Sequence, residues 1–231
     1  MEKILIITPT FNESENIQKF IDSVLSFGGL SLLVVDDNSP DGTASIVENN
    51  MQNNKSINII KRSGKLGYGS AVIEGYKWGL DNKYDYFIQM DTDFSHRFED
   101  LAEIMKHRYE NDLVIGSRYV SGGKTEGWTK RRQYLSKYAN KLSGYIFKSK
   151  VNDQTSGYRL LNKTIVIDLL EFSPKVNGYA FLVEITNFIE SNDYKIKEVP
   201  ITFYDRSLGT SKMNYKIIIE AIAFLLRRAL R

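Results

Sequence analysis

Short runs of branched apolar residues recur along the first half of the chain. Each run ends in a polar loop, which leads into an amphipathic segment. The first three runs cover residues 4–8, 32–35 and 57–60, and the segments with helical periodicity are 15–25, 44–50 and 71–80. Apolar runs without alternation are typical of strands that are buried on both faces of a parallel sheet. The pattern therefore predicts a repeated unit of strand, loop and helix.

Two further apolar runs, residues 86–90 and 113–115, extend this pattern. Strands and helices that alternate at these lengths predict an α/β fold, with a mostly parallel sheet flanked by helices and ligands bound beyond the carboxyl ends of the strands. In the second half we expect helices at 163–170 and 179–190 and a pair of strands within 195–203. No internal repeat, low-complexity tract or linker divides the chain, so residues 1–231 are predicted to form a single domain.

The run at 86–90 leads directly into two acidic residues, Asp91 and Asp93, with Thr92 between them. Two carboxylates at the end of a buried strand suit a hard divalent cation and the diphosphate that such a cation would carry. The alternative is that both residues form the turn that closes the strand, which is a common use of aspartate. The short motif alone leaves both interpretations open.

Composition and charge exclude several classes of protein. The chain has no cysteine, which excludes disulfides, thiolate nucleophiles and cysteine zinc sites, and its two histidines, His96 and His107, are too few for a histidine-rich metal site. Gly64, Gly67 and Gly69 follow a strand without the spacing of a dinucleotide fingerprint, so a nicotinamide enzyme is disfavoured. A net charge of +3 is too small to indicate a nucleic-acid partner.

Basic residues are nevertheless concentrated in a segment with helical periodicity, residues 129–150. Its cations are Lys130, Arg131, Arg132, Lys137, Lys141, Lys148 and Lys150, and one face carries Leu135, Tyr138, Leu142 and Tyr145. A basic amphipathic helix can lie on an anionic bilayer, but a helix that packs on a core with a solvated basic face has the same pattern. A nucleic-acid binder would need a broader basic face than one helix provides.

A second apolar segment, residues 213–231, predicts an amphipathic helix at an interface or a subunit contact. No stretch of the sequence approaches the roughly 20 apolar residues that a membrane-spanning helix needs. We therefore expect no transmembrane segment in the chain.

Several segments together carry a resemblance to a known family. They are residues 9–13, 35–43, 90–96, 116–119, 128–132, 155–160, 199–206 and 209–212, with Ser136. In this order they resemble the family-two inverting glycosyltransferases, and in particular the dolichol-phosphate (polyprenol-phosphate) mannose synthases. The resemblance covers nearly the whole chain. It implies the nucleotide-diphospho-sugar transferase fold, which is Rossmann-like and of the GT-A type.

The resemblance implies a donor site and a metal site. The donor residues would be Pro9, Phe11, Glu13, Val35, Asp37, Asp91, Thr92, Asp93, Arg206 and Lys212, and the ligands of Mg²⁺ or Mn²⁺ would be Asp91, Asp93 and Ser95. Some relatives have a glutamine ligand where this chain has Ser95, so we expect Ser95 or water to complete the coordination shell. Glu13 and Asp37 would accept hydrogen bonds from base or ribose; alternatively they are a helix acid and a turn former.

The resemblance also implies an acceptor-phosphate site, made by Arg118, Arg132, Ser136 and Lys137. A phosphate monoester has a second pKa of about 6 and is mostly ionised at neutral pH, so sugar transfer to it needs no general base. We therefore expect Asp93, Arg118 and Arg132 to be the catalytic residues, and Arg206 with Lys212 to neutralise the departing diphosphate. Asp153 and Arg159 could serve the acceptor pocket or brace each other.

The implied function is metal-dependent, inverting transfer of mannose from GDP-mannose to dolichyl or polyprenyl phosphate, which yields a lipid-linked mannose donor for glycosylation. Association with the cytoplasmic face of a membrane would be peripheral, either direct or through a membrane-anchoring partner protein. The alternatives are a transferase that uses UDP-glucose or another donor, because diphosphate motifs do not report the sugar, and a non-catalytic sugar-nucleotide-binding protein. Two intact half-sites, for donor and acceptor, disfavour the non-catalytic alternative. No nucleic acid is expected as a partner.

Overall fold

A computed structural model describes residues 2–178 and 180–206 of the chain. Lys212 and the helix expected over 213–231 lie outside the described residues. Between residues 4 and 89, strands and helices alternate as the sequence predicts.

A seven-stranded sheet forms the centre of the molecule, and a two-stranded sheet lies beside it. In chain order the strands are β1 (Ile4–Thr10), β2 (Leu30–Asp36), β3 (Ile57–Lys61), β4 (Tyr86–Gln89), β5 (Leu113–Ser117), β6 (Lys124–Glu126), β7 (Arg159–Asn162), β8 (Ile196–Pro200) and β9 (Thr202–Tyr204). The order across the large sheet is β3-β2-β1-β4-β7-β5-β8, and β6 pairs with β9. All these pairs are parallel except those of β7.

Helices cover both faces of the large sheet. They are α1 (Ile17–Phe27), α2 (Thr43–Asn53), α3 (Tyr68–Asp81), α4 (Leu101–Lys106), α5 (Lys130–Phe147), α6 (Lys163–Phe172) and α7 (Ala180–Ser191). Buried residues of α1, α2 and α4 pack on one face, and those of α3, α6 and α7 pack on the other. Along β1, Ile4 and Ile6 face the first layer while Leu5 and Ile7 face the second, which explains the uninterrupted apolar run.

β7 is the main element that the apolar pattern does not reveal. It is four residues long and has Arg159 and Asn162 at its ends, so it lacks the branched apolar run of the other central strands. It runs antiparallel between β4 and β5, and Arg159 lies opposite both Gln89 and Ile115. The loop before β7 therefore enters the sheet at the edge where β4 and β5 end.

The two strands expected within 195–203 are present as β8 and β9, but they do not pair with each other. β8 extends the large sheet beside β5, and β9 pairs with β6. Ile201 makes the crossing, because its N–H donates to the carbonyl of Ser117 at 3.0 Å and its carbonyl accepts from Lys124 N at 3.0 Å. The two-stranded sheet of β6 and β9 therefore lies next to the carboxyl end of β5.

Among the helices of the described ranges, 2–178 and 180–206, none has the length and apolarity that a bilayer crossing requires.

Candidate active site

The loop Asp91-Thr92-Asp93 follows β4, and Thr92 and Asp93 are buried. Asp93 Oδ1 accepts the backbone N–H of Ser95 at 3.0 Å, and Asp93 Oδ2 lies 2.6 Å from Nε of Arg206. Phe94 has a left-handed backbone with φ of 60°, so the chain turns sharply after the second acid. The turn interpretation and the ligand interpretation of these aspartates are therefore compatible.

A buried histidine, His96, holds the backbone of this loop by a hydrogen bond. Nδ1 of His96 accepts the backbone N–H of Asp91 at 3.3 Å, and the imidazole stacks on Tyr158 with ring centroids 5.0 Å apart. Burial lowers the pKa of His96 to about 4, against an opposing effect of Asp93, so the ring is neutral at pH 7. Since Nδ1 is the acceptor, the ring proton is on Nε2.

The donor set fits a divalent cation that shares its ligands with a diphosphate. Within residues 2–178 and 180–206, no group of three or more histidine, aspartate or glutamate side chains could hold a metal by itself. Mg²⁺ is usually held by one or two carboxylates together with substrate phosphate oxygens and water, and not by a cage of protein ligands. Asp91 and Asp93 supply that number of carboxylates. Ser95 is buried beside them, and its role as a ligand stays a prediction.

The expected donor residues lie at the carboxyl ends of β1 and β2. Pro9 and Val35 are opposite each other in the sheet register, and Phe11 follows β1 with the Lys65 ammonium 4.1 Å from its ring centroid. The carboxylate of Glu13 is buried and accepts from Nδ2 of Asn16 at 2.9 Å. All four positions lie at one edge of the sheet, but the Val35 side chain is fully buried in the core, so a direct contact of that side chain with the donor is not supported. The donor roles of Pro9, Phe11 and Glu13 stay predictions.

Asp37 has structural partners that the sequence did not indicate. Its Oδ1 lies 2.5 Å from Nη1 of Arg62, in a pair whose side chains are nearly inaccessible, and its Oδ2 accepts the N–H of Gly67 at 3.1 Å. Gly67 has φ of 102°, which favours glycine, and a Cβ there would collide with Asn177. The carboxylate of Asp37 therefore holds the loop at residues 65–69 next to the end of β2. Its contact with base or ribose stays a prediction.

Arg118 follows β5 and forms an ion pair with a buried aspartate, Asp153. Its Nε and Nη2 donate to the two oxygens of Asp153 at 2.7 and 2.6 Å, and Nη2 also donates to Thr155 Oγ1 at 2.8 Å. Asp153 thus pairs with Arg118 and does not brace Arg159, whose guanidinium donates to backbone carbonyls of Ser156 and Gln154. The structure therefore does not support a brace between Asp153 and Arg159, and a role for Asp153 in the acceptor pocket stays a prediction.

The other expected acceptor residues lie on the first turns of α5. Arg132 is half exposed, and its guanidinium carbon lies 4.1 Å above the ring of Trp128. Ser136 Oγ accepts from the hydroxyl of Tyr119 at 2.7 Å, which fixes it beside the loop that carries Arg118. Lys137 is exposed.

Two aromatic residues lie between the residues expected to bind the donor and those expected to bind the acceptor phosphate. The ring of Phe203, on β9, lies 5.3 Å from the imidazole of His96 and 5.3 Å from the guanidinium carbon of Arg118. Trp128 lies between the two arginines, 5.6 Å from the guanidinium carbon of Arg118. Trp128 and Phe203 belong to segments that carry the family resemblance, but only the pairing of β6 with β9 reveals their place between the half-sites.

Solved structures share this fold. The mannosyltransferase PcManGT from Pyrobaculum calidifontis, solved in complex with GDP-Man and Mn²⁺, superposes with a TM-score of 0.66 at 15% identity, over 97% of this chain and 64% of its own. TarS from S. aureus, residues 1–349, gives a TM-score of 0.60 at 16% identity, over 98% of this chain and 65% of its own. The expected GT-A fold is confirmed.

Curated relatives are similar over most of the sequence. The polyprenol monophosphomannose synthase of Mycolicibacterium smegmatis is 37% identical over 226 residues, which are 96% of this chain and 84% of the relative. The undecaprenyl-phosphate mannosyltransferase of Micrococcus luteus is 36% identical over 97% of this chain and 93% of its own. Residues 5–170 match the family described as glycosyl transferase family 2. The resemblance inferred from the sequence is confirmed, and the chain belongs to glycosyl transferase family 2.

Proposed function

We propose that this glycosyltransferase moves mannose from GDP-mannose to a polyprenyl or dolichyl phosphate, with inversion at the anomeric carbon and with Mg²⁺ or Mn²⁺ on the donor diphosphate. One observation carries the proposal. A carboxylate pair suited to a cation and its diphosphate is connected to two arginines suited to a phosphate through the rings of His96, Phe203 and Trp128. A sugar held at this junction would have one anion on each side.

The relatives support the choice of substrates. The names of both curated relatives specify a mannose transfer and a polyprenyl phosphate, and one solved neighbour was captured with GDP-Man and Mn²⁺. We extend these substrates to the present chain because the relatives match it over nearly its whole length. The product would be a lipid-linked mannose that serves as a donor for glycosylation.

The chemistry needs positioning and charge more than a base. An oxygen of the ionised acceptor phosphate attacks the anomeric carbon, and the bond from that carbon to the donor diphosphate breaks on the opposite face. Arg118 and Arg132 orient the attacking phosphate, while Arg206 and Lys212 bind the leaving diphosphate. When bound, a divalent cation on Asp91 and Asp93 supplies charge neutralisation for that leaving group.

We further propose that α5 rests on the cytoplasmic face of a membrane. Its outer surface carries large apolar side chains that remain exposed: Leu135 at 68%, Tyr138 at 65% and Tyr145 at 85%. Its inner side is polar, since Asn140 and Ser143 are buried and hydrogen bond to the loop before β7. An exposed apolar stripe with lysines around it matches an anionic bilayer, which offers acyl chains and phosphate headgroups.

This placement would bring the lipid to the reaction. Arg132 and Ser136 are on α5 itself, so a phosphate headgroup reaching them would leave its polyprenyl chain in the bilayer next to the helix. The proposal needs no membrane-anchoring partner protein, because α5 supplies the surface. The association would be peripheral.

The test is a transfer assay with separately labelled donors. Purified protein would be incubated with polyprenyl phosphate, Mn²⁺ or Mg²⁺, and GDP-mannose, UDP-glucose or UDP-galactose, after which the lipid is extracted and counted. We expect label in the lipid from GDP-mannose, loss of transfer with EDTA, and recovery when Mn²⁺ is restored. Label from UDP-glucose alone would contradict the mannose assignment, and no label from any donor would contradict lipid-phosphate transfer.

Variants of two adjacent arginines test whether Arg132 binds the acceptor phosphate. Arg132→Ala should raise the acceptor KM at least tenfold with little change in the KM for GDP-mannose, because an ionic hydrogen bond to the phosphate is lost. Arg131→Ala, which removes an exposed neighbouring cation on the same helix, is the matched control and should retain most of the activity.

A further inference from the structure

Tyr68, the first residue of α3, takes part in a series of hydrogen bonds that begins in the interior of the fold. Tyr76 donates its hydroxyl proton to Oε1 of Gln89 at 3.3 Å, and Nε2 of Gln89 donates to the hydroxyl oxygen of Tyr68. Gln89 is the last residue of β4, two positions before Asp91. The series therefore runs from a buried helix residue to the neighbourhood of the candidate active site.

The burial of Tyr76 fixes the orientation of the Gln89 amide. Both side chains are inaccessible, and within residues 2–178 and 180–206 the Tyr76 hydroxyl makes its one hydrogen bond to Gln89. If the amide turned over, the buried hydroxyl proton of Tyr76 would lose its acceptor, which is unfavourable. Nε2 of Gln89 is therefore the atom that faces Tyr68. Because the Tyr68 oxygen accepts from Nε2, its own proton is directed to a different group.

Gly157 shows which groups lie near this hydroxyl. A Cβ on Gly157 would lie 2.9 Å from the hydroxyl oxygen of Tyr68, 3.5 Å from Cε1 of His96 and 3.8 Å from Oδ2 of Asp91. The phenol oxygen, the imidazole and the carboxylate thus converge on one backbone position that carries no side chain. The Tyr68 hydroxyl is therefore close to the loop for which we propose metal binding.

The ring of Tyr68 is held in place although the residue is only half-buried. It packs edge to face on the buried ring of Phe181, with centroids 6.5 Å apart. Its backbone continues the loop at residues 65–69, which Asp37 holds through the N–H of Gly67. A side chain fixed in this way loses little conformational freedom when a ligand contacts its hydroxyl.

The proposed function places the transferred sugar next to this hydroxyl. The donor diphosphate would be on the cation at Asp91, and the acceptor phosphate would be on Arg118. The partner of Arg118 is Asp153, which belongs to the same segment before β7 as Gly157. The sugar has to lie between the two anions. A phenol hydroxyl can both donate and accept a hydrogen bond, so it suits a sugar hydroxyl.

We infer that Tyr68 is a specificity-determining residue, whose hydroxyl forms a hydrogen bond with a hydroxyl of the transferred sugar. The inference rests on the proposed function, which places the sugar between the two anions. It adds a residue for the sugar to those proposed for the nucleotide, the cation and the acceptor phosphate. In this role Tyr68 contributes to the binding of the sugar and not to the binding of the nucleotide.

The closing experiment compares a donor with its nucleotide. Isothermal titration calorimetry gives the Kd of GDP-mannose and of GDP, both with Mn²⁺ and without an acceptor, so that no transfer takes place. Tyr68→Phe keeps the ring and removes the hydroxyl. We expect it to weaken GDP-mannose binding about threefold to tenfold, as the loss of one hydrogen bond does, and to change GDP binding less than twofold. A disturbed loop at residues 65–69 would weaken both ligands equally.

Tyr84→Phe is the matched control. It also removes a phenol hydroxyl, but Tyr84 stacks on Trp78 near the other end of α3. Both Kd values should be unchanged in this variant.

Analogues of GDP-mannose that each lack one sugar hydroxyl identify the contact. In the unaltered protein, the analogue that lacks the contacted hydroxyl should bind more weakly by about the same factor as Tyr68→Phe binds GDP-mannose. In Tyr68→Phe that analogue should bind as well as GDP-mannose, because the two changes remove the same hydrogen bond and are not additive.

Three outcomes would overturn the inference: equal weakening of GDP and GDP-mannose in Tyr68→Phe, unchanged affinity for both, or additive losses with every analogue. A protein that transfers mannose and gives one of these results contradicts the role of Tyr68 alone. If the labelled-donor assay identifies a different nucleotide sugar, the proposed donor is wrong, and the same comparison of that sugar with its free nucleoside diphosphate decides the role of Tyr68.

Discussion

At the scale of single residues, the loop Asp91-Thr92-Asp93, for which we propose metal binding, is held by a side chain that takes no part in the proposed reaction. His96 fixes the backbone of Asp91 through Nδ1, and its ring is clamped between Tyr158 and Phe203. Because burial holds the pKa of His96 at about 4, the ring remains an acceptor throughout the neutral range. The hydrogen bond from the backbone N–H of Asp91 to His96 is therefore not lost by protonation of the ring near pH 7.

Replacing His96 with phenylalanine separates this hydrogen bond from the ring packing. His96→Phe keeps an aromatic ring near Tyr158 but leaves the Asp91 N–H without its acceptor, and an unsatisfied buried N–H costs about 1–3 kcal/mol. We expect Mn²⁺ binding in the presence of GDP to weaken about tenfold, measured by calorimetry. Tyr158→Phe, which keeps the ring and removes its hydrogen bond to the carbonyl of Arg97, is the control. Equal Mn²⁺ affinity in both variants would refute the role of His96.

At the scale of elements, α5 departs from the usual arrangement of a surface helix. Its buried side is held by hydrogen bonds, from Asn140 to Thr155 and from Ser143 to Gln154, and its apolar side chains point away from the molecule. The sequence pattern left a bilayer helix and a core-packing helix open. The structure excludes core packing for Leu135, Tyr138 and Tyr145, because all three are exposed.

The apolar face of α5 can be tested with vesicles. Leu135→Ser together with Tyr138→Ser should weaken co-sedimentation with vesicles of phosphatidylcholine and phosphatidylglycerol at least tenfold, because inserting one large apolar side chain contributes about 1.5–3 kcal/mol. Ile167→Ser changes an exposed apolar residue on α6 and should have no effect. Soluble transfer to a short-chain acceptor should be preserved in the double variant. Unchanged sedimentation of the double variant would count against membrane contact through α5.

Elements with a strong apolar period were predictable, and those without one were not. The first five strands and the three helices between the first four strands appear where the apolar runs and the helical spacing place them. β6 has three polar residues, β7 has only two apolar residues, Leu160 and Leu161, and α4 has six residues, so the local pattern gave no sign of them. Their structure comes from tertiary pairing, because β7 completes the hydrogen bonds of two buried strands.

At the scale of the whole molecule, the sequence predicted the positions of the candidate site residues better than it predicted which side chains contact them. The strand ends of an α/β sheet point to Pro9, Asp37 and Asp91 because all parallel strands deliver their loops to one edge. By contrast, the partner of Arg118 is Asp153, which lies 35 positions further along the chain. No period or motif specifies that pair. The pair forms because the chain leading into β7 brings Asp153 next to Arg118.

The position of β7 also has a consequence for how the chain acquires its structure. β4 is bonded to β1 and β5 to β8, and β7 is the strand that joins these two groups into one sheet. Before residues 159–162 are in place, two apolar strands have open edges, which are sites of aggregation. A chain ending at residue 157 lacks both partners of β5, which are β7 and β8, but keeps β1 as the partner of β4. We expect such a chain to show no hydrogen-exchange protection in β5, in contrast to the full chain.

Protection of β5 in the shortened chain would contradict the expectation, because it would show that β5 can pair without β7 and β8. If the expectation is met, assembly is ordered. Residue 162 must then have left the ribosome before the loop Asp91-Thr92-Asp93 after β4 and Arg118 after β5 lie on one surface. A nascent chain would then gain its fold and its potential for sugar transfer in the same late step, and partial products of synthesis would not sequester nucleotide sugar.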